Sequence, residues 1–377
     1  MGDARRRSFG VGLYTGQRDA GAHYRDAVPL AVAAEEAGFD AFWVSEHHGL
    51  PDGYLPSPLT LLAALAPATS RIALGTGVLL APLHHPLRIA EDAAVVDQLS
   101  GGRLILGLGI GYAAHEYAAF GVDPATRGAR LEALIGALRD AWAGRPVHSR
   151  ELGLDGARVT PPPARPIPIW LGGYAPRAVR RAGLLADGHL VGRGEAHIVE
   201  DASGHLAAVR DPADPSFVRA VNVTCVLDAP GAGAASALAA FAAQQRTYET
   251  IQAGRDVYAG LVPTAGRPGR SSEGFSTAGP VTGDPTGTGS INPGDGGLAG
   301  ADPAGGGVDA QVQARGDVEA VVAALTGVLD ALSAWANVHL VIRMLFPDPD
   351  LDVQLRRLRL FGEEILPRLR AHAEAGA

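Results

Sequence analysis

Lysine is missing from this sequence: all 32 of its Lys+Arg positions are arginine. Without a side-chain amine there can be no Schiff-base lysine, no pyridoxal phosphate anchor and no P-loop lysine. Cysteine is nearly missing too. Cys225 stands alone, which excludes an internal disulfide framework, a C-x-x-C redox pair and a thiolate zinc cluster. No apolar run reaches the roughly 20 residues needed to cross a bilayer. The stretch after Arg5-Arg6-Arg7 breaks at Tyr14-Thr15-Gly16 before a signal-peptide core forms. Met1-Gly2 begins like a myristoylation signal, but Arg6 stands where Ser or Thr is required. The expectation is a cytoplasmic protein that does not engage a membrane. A net charge of −8 argues against a broad basic surface for nucleic acid, and Arg5 to Arg7 read as a solvated tail.

What is present is enough for a large core. Over 377 residues, 47% are hydrophobic, within reach of a single α/β barrel domain spanning 1–377. Short β-rich runs alternate with helical stretches, the pattern of a mainly parallel sheet. Eight strands are expected: Gly10 to Tyr14, Ala41 to Val44, Ile72 to Leu80, Leu104 to Ile110, Ile169 to Leu171, His189 to Val191, Arg219 to Leu227 and Val338 to Met344. Several are apolar without alternation, as strands covered on both faces must be. Gly38 is placed to end a helix over Ala22 to Ala37, and Ser57-Pro58 to cap and open one over Leu59 to Ala66. Pro86 and Pro176 are placed to open two more, and Asp317 to Trp335 carries one apolar stripe. The final helix should begin near Asp352 and be interrupted at Pro367. The fold expected is therefore a (β/α)₈ TIM barrel. Residues 263–307 break the rhythm, being dominated by Gly, Pro, Thr, Ser and Asp. Such a composition cannot bury enough surface to offset its ordering entropy, so it reads as a flexible Gly/Pro-rich insertion between strands seven and eight. Its alternatives are an excursion without catalytic role and a lid over the barrel mouth.

Active sites of such barrels form from loops after the C-terminal strand ends. Glu46-His47-His48 directly follows the second strand, and an imidazole there can exchange a proton near neutral pH; the alternative is a pair of loop-packing histidines. Gly77, within the third apolar strand, marks a bulge or a close approach to a ligand. Gly107-Leu108-Gly109-Ile110-Gly111 ends the fourth strand, but the Rossmann reading fails because Glu132, at the right distance for the ribose carboxylate, sits in a helical pattern. His115-Glu116 starts like H-E-x-x-H, yet Ala119 occupies the second ligand position, so no zincin site and no metal is expected. Gly172-Gly173-Tyr174 precedes a helix whose first turn can present N–H groups to a phosphate. Ser100-Gly101-Gly102-Arg103 leads into a strand at the opposite end, so Arg103 should be structural.

Together these stretches resemble the bacterial luciferase-like family of flavin- or deazaflavin-dependent oxidoreductases. The resemblance rests on Glu46-His47-His48; Leu74-Gly75-Thr76-Gly77-Val78 with His85-Pro86-Leu87-Arg88; Leu99-Ser100-Gly101-Gly102-Arg103-Leu104; Gly107-x-Gly109-x-Gly111; Arg127-Gly128-Ala129-Arg130-Leu131; and Pro168-Ile169-Trp170-Leu171-Gly172-Gly173, and is dense from Phe9 to Gly188. It implies a barrel that binds reduced FMN, supplied by a separate flavin reductase, or alternatively F420. It also implies His47 as the catalytic histidine, Thr76-Gly77-Val78 as a backbone bulge behind the flavin, often with a non-prolyl cis peptide, and Gly109 and Gly111 beside the cofactor. Gly172, Gly173 and Tyr174 become the phosphate-side loop. The luciferase subunit carries an Arg after strand four, where this chain has Ile110-Gly111, which leaves FMN against F420 open. The expected activity is monooxygenation of a small organic substrate with O₂. Its rivals are F420-dependent hydride transfer and a non-catalytic flavin-binding or accessory subunit. The resemblance also implies a homodimer.

Overall fold

The computed structural model describes residues 5–15, 20–253, 311–347 and 350–376; the insertion expected at 263–307 lies outside them. Eight parallel strands close on themselves. They are β1 (Arg6–Leu13), β2 (Ala41–Val44), β3 (Ala73–Thr76, resuming at Leu79–Leu80), β4 (Leu104–Gly109), β5 (Ile169–Gly172), β6 (Gly188–Val191), β7 (Val218–Leu227) and β8 (Asn337–Leu345). Each pairs with its neighbour in sequence order, and β8 pairs with β1, Gly10 opposite Val341, to shut the barrel. All eight expected strands are present. The third differs, because its single apolar run Ile72 to Leu80 is broken at Gly77-Val78.

Period-two alternation decides what fills the barrel. Trp43, Trp170, Leu190, Ala220 and Val341 point inward as one cluster, with Trp43 and Trp170 rings 5.1 Å apart. Their intervening neighbours face the helices. Two indoles on one axis leave no room opposite: a Cβ on Gly10 would lie 2.4 Å from Trp43 Nε1, and one on Gly75 2.3 Å from Trp43 Cε3. The Trp43 indole N–H donates to His339 Nε2 at 3.0 Å, so the His339 proton sits on Nδ1 and is donated to Ser8 Oγ at 2.8 Å. Burial pushes His339 down to about 3.

The helical ring includes α1 (Ala20–Glu36), α2 (Pro58–Leu65), α3 (Pro86–Ser100), α4 (Ala114–Phe120), α5 (Arg127–Trp142), α6 (Pro176–Leu185), α7 (Ala196–Ala207), α8 (Ala234–Gln252), α9 (Val318–Ala331), α10 (Leu351–Leu360) and α11 (Leu366–Ala375). Gly38 follows α1 at φ +90. Ser57 precedes Pro58 as expected, but its side chain makes no capping bond. The break in the final helix also lies elsewhere than expected: Pro367 is tolerated in the first turn of α11, and the irregularity is a π-helical turn at Phe361–Ile365. Proline has no N–H to offer the carbonyl four residues back, so the preceding turn loosens rather than the following one. Arg103 straps the bottom of the barrel, donating to the carbonyls of Ser100, Ile72, Ala66 and Thr69. Among the described residues no helix is long and apolar enough to cross a membrane.

Candidate functional site

Strand β2 ends at Val44, and the next three residues turn into the barrel mouth. His47 is 8% exposed there. Its Nδ1 lies 3.0 Å from Oε1 of Glu116, and the same oxygen accepts the His48 N–H at 2.8 Å. Glu116 stands on α4, just past the end of β4, with its side chain fully buried. A carboxylate has no proton to give, so the imidazole donates from Nδ1 and Nε2 is left as the proton acceptor. Three tyrosine rings enclose this histidine: Tyr54 and Tyr112 edge-on at 5.0 and 5.7 Å, and Tyr248 of α8 tilted at 5.5 Å. Burial pushes the Tyr54 hydroxyl up to about 12 and those of Tyr112 and Tyr248 well above their usual value. All three are therefore neutral near pH 7.

His48 turns away from His47, as does the neighbouring carboxylate. Glu46 Oε1 accepts from His48 Nε2 at 2.7 Å and from His84 Nε2 at 2.6 Å, while Oε2 accepts the Leu80 N–H at 2.5 Å. Burial alone would raise the Glu46 carboxyl; the bonds from His48 and His84 outweigh it and hold the group at about 2. The three ligand atoms lie within 4.8 Å of one another, a spacing that could hold a metal ion. At these distances the same contacts are hydrogen bonds, and they satisfy Glu46 while clamping the loop after β2 to the loop after β3.

A cleft open to solvent, with about 930 Å³ of space including its mouth, lies beside His47. Gly77, Val78, Gly109, Gly111, Gly172, Gly173 and Tyr174 all line it together with His47, so strand ends far apart in sequence converge as the motifs led one to expect. The Gly77–Val78 peptide is cis, as the resemblance implies. Two of the glycines serve the valine: a Cβ on Gly109 would meet Val78 Cγ2 at 2.4 Å, and one on Gly172 would meet Val78 Cγ1 at 2.7 Å. Thr76 is placed otherwise. It is fully buried, donates through Oγ1 to Gly107 O at 2.7 Å, and does not line the cavity.

The Gly172–Tyr174 loop is held from below. His189 Nε2 donates to Gly173 O at 2.6 Å, and Arg219 donates to His189 Nδ1 at 2.9 Å. Burial, with the Arg219 charge beside it, pushes His189 down to about 3 and keeps the ring neutral. Near the loop, Arg193 pairs with Glu195, its Nε 2.9 Å from Oε1. A wall built from a peptide, glycine backbones and one valine, ending at the N-terminus of α6, fits a flat conjugated ring with an anionic tail.

Sequence reasoning missed Glu116, which is buried behind His47 and outside the cavity lining, and the lining residues Tyr112, Tyr248 and Arg343. Glu116 was visible as an acidic residue one short step past a glycine-rich strand end, where its pairing is set by the barrel and not by local spacing. Tyr112 offered the same positional signal. Tyr248 did not: it reaches Tyr54, at 3.4 Å between hydroxyls, from 194 residues away. Arg343, an arginine near the end of an apolar last strand, lines the cavity floor.

Comparisons with known proteins agree with this fold. A family model described as luciferase-like monooxygenase matches residues 8–274. The chain is 35% identical over 130 residues to the oxygenase component of a flavin-dependent trigonelline monooxygenase from Acinetobacter baylyi, covering 34% of this chain and 36% of that protein. It is 35% identical over 178 residues to an F420-dependent glucose-6-phosphate dehydrogenase from Nakamurella multipartita, covering 44% and 52%. The matches thus span about a third to a half of these curated relatives. Among solved structures, monooxygenase RslO1 from Streptomyces bottropensis aligns with a TM-score of 0.70 at 21% identity, over 96% of this chain and 99% of that one. The oxygenating constituent of 3,6-diketocamphane monooxygenase from Pseudomonas putida, in complex with FMN, aligns with a TM-score of 0.68 at 18% identity, over 96% and 98%. At such identities the structures establish a shared fold, while the family match covers most of the sequence. The chain belongs to the luciferase-like monooxygenase family.

Proposed function

We propose that this chain is an oxidoreductase, the oxygenase component of an FMN-dependent monooxygenase acting on a small organic substrate. One atom of O₂ enters the substrate, the other leaves as water, and reduced FMN delivered by a separate reductase is oxidised. The observation that carries this reading is His47, held by Glu116 and walled in by tyrosines, beside a glycine-backed cavity. When bound, reduced FMN supplies the two electrons that activate oxygen.

The protein's part is positional. Glu116 keeps the proton on His47 Nδ1, so that Nε2 is the nitrogen that can take up a proton and return it at the reacting centre. Tyr54, Tyr112 and Tyr248 exclude water around that nitrogen and strengthen its interactions. Val78, seated between Gly109 and Gly172, forms the surface on which the ring is to lie. His189 and Arg219 fix the loop that faces the phosphate.

A second reading, F420-dependent hydride transfer, draws support from the match to an F420-dependent dehydrogenase, which runs over more of this chain than the trigonelline monooxygenase match. In that reading His47 protonates or polarises the substrate. Purified protein, a reductase and FMN under isotopically labelled O₂, assayed against a library of small organic substrates, should put one labelled atom into a product. Reduction of a library member by F420H₂ without O₂, with no labelled product, would overturn the monooxygenase reading.

A further inference from the structure

Strand β8 turns His339, Val341 and Arg343 toward the barrel axis, and the first two sit in the packed interior. Arg343 comes next, at the floor of the cavity. It lines the main cavity beside Tyr14 and Asn222, and also a side chamber, about 630 Å³ including its opening to solvent, lined by Phe241, Gln245 and Tyr248 of α8. Gly192, Tyr248 and Arg343 are shared by both spaces.

Other deeply placed arginines have acceptors for part of the guanidinium, although the Nε of Arg219 and that of Arg127 are likewise without a partner. Arg219 donates to His189, Val199 O and Ser203, and Arg193 is neutralised by Glu195. Arg343 differs: among the described residues it makes no hydrogen bond or ion pair, and its Nε is shut away from solvent with no acceptor. Its Cζ lies 4.2 Å over the Tyr14 ring, a contact that orients the guanidinium without using any N–H donor. Burial lowers its pKa to about 9, which still leaves it charged at neutral pH. A buried cation without an acceptor is costly and is stabilised when a ligand brings an anion to it. The planar fork of donors suits a carboxylate.

The position separates this group from the cofactor's expected phosphate end. The glycine-backed wall and the Gly172–Tyr174 loop belong to β3, β4 and β5, whereas β8 lies across the barrel between β7 and β1. We infer that Arg343 binds the carboxylate of an organic-acid substrate, whose carbon body occupies the side chamber under α8. This assignment rests on the reading of the main cavity as a flavin site.

The test uses full-length protein loaded with FMN, titrated calorimetrically with acetate, benzoate, phenylacetate and succinate and with their amides. At least one acid should bind about tenfold or more tightly than its amide. Arg343→Met should abolish that preference and leave FMN affinity within about threefold, while Arg343→Lys, which keeps the charge but loses the fork, should retain part of it. No acid preferred over its amide overturns the inference, as does an undiminished preference in a folded Arg343→Met protein. Loss of FMN affinity in Arg343→Met with the acid preference intact assigns the residue to the cofactor and overturns it as well. Should Arg343→Met not fold, Arg343→Lys decides: full retention of the preference counts against the fork, partial loss for it. If the wild-type protein binds no FMN yet shows an Arg343-dependent preference, the flavin reading fails and the carboxylate assignment stands.

Discussion

Glu116→Gln changes one charge and almost no volume at the centre of the site. In the wild type, Oε1 accepts both the His47 Nδ1–H at 3.0 Å and the His48 N–H at 2.8 Å, and Oε2 is buried with no partner. The amide oxygen can still accept both bonds, but they become neutral ones. A neutral hydrogen bond contributes about 1 kcal/mol and one to a charged group about 1.5–3, so the substitution costs about 0.5–2 kcal/mol for the bond to His47 and a similar amount for the bond to the His48 N–H. That cost grows when His47 takes a proton, because the charge that would balance it is gone. If the proton passes through His47 in the slow step, turnover should fall about tenfold, since each 1.36 kcal/mol is a factor of ten. Glu116→Ala, which leaves both N–H groups without an acceptor, should cost about 3 kcal/mol and on the order of a hundredfold. The assay is steady-state turnover beside a flavin-binding titration on the same samples, with ¹⁵N shifts of the His47 ring reporting its tautomer. Turnover of Glu116→Gln within twofold of wild type, or a matching loss of flavin affinity, would refute the positioning role.

His47→Ala should reduce turnover by about 10²–10⁴-fold with flavin affinity changed only a few-fold, read from the same pair of assays; unchanged turnover would move the proton chemistry to another group. Stability should depend on pH through His189 and His339, both pushed to about 3 by burial. Their folded values lie below the ~6.5 of an unfolded chain. The stability they contribute is therefore complete above pH 6.5 and lost as pH falls from there toward 3, by about 1.4 kcal/mol per unit for each ring. Urea melts at pH 7, 6 and 5 measure it, and a flat profile would contradict the buried neutral assignment. Gly107→Ala should destabilise by about 2–3 kcal/mol or prevent folding, because its Cβ would lie 1.9 Å from the backbone oxygen of Thr76; a urea midpoint equal to wild type would show that β3 and β4 can separate at no cost.

Much of the barrel was legible because its strands are short apolar runs between helical stretches, and only local signals were needed to find them. The pairing of β6 with β7, Val191 opposite Val221, follows once eight strands must close. The break in β3 was half visible: Gly77 announced an irregularity, but nothing local said that Val78 would need both Gly109 and Gly172 to lack a side chain. His47 could be singled out from its place after β2. Its partner could not, since Glu116 is 69 residues away and looked like a failed zinc motif in its own neighbourhood. Thr76 shows the opposite error, a residue adjacent to the right peptide whose side chain alternation points into the wall and not the cavity. Arg343 was overlooked because its meaning depends on the inward face of the last strand and on partners that never arrive.

Fluorescence quenching of the wild-type protein with reduced FMN, oxidised FMN and F420 tests the central claim most directly, that the cavity beside His47 holds a flavin. Saturable binding of reduced FMN, tighter than that of F420 and weakened by a bulkier side chain at Gly172, is the result predicted. Tight binding of F420 with no response to FMN would transfer the site to hydride chemistry, and saturable binding of none of the three would contradict the assignment of the cavity itself.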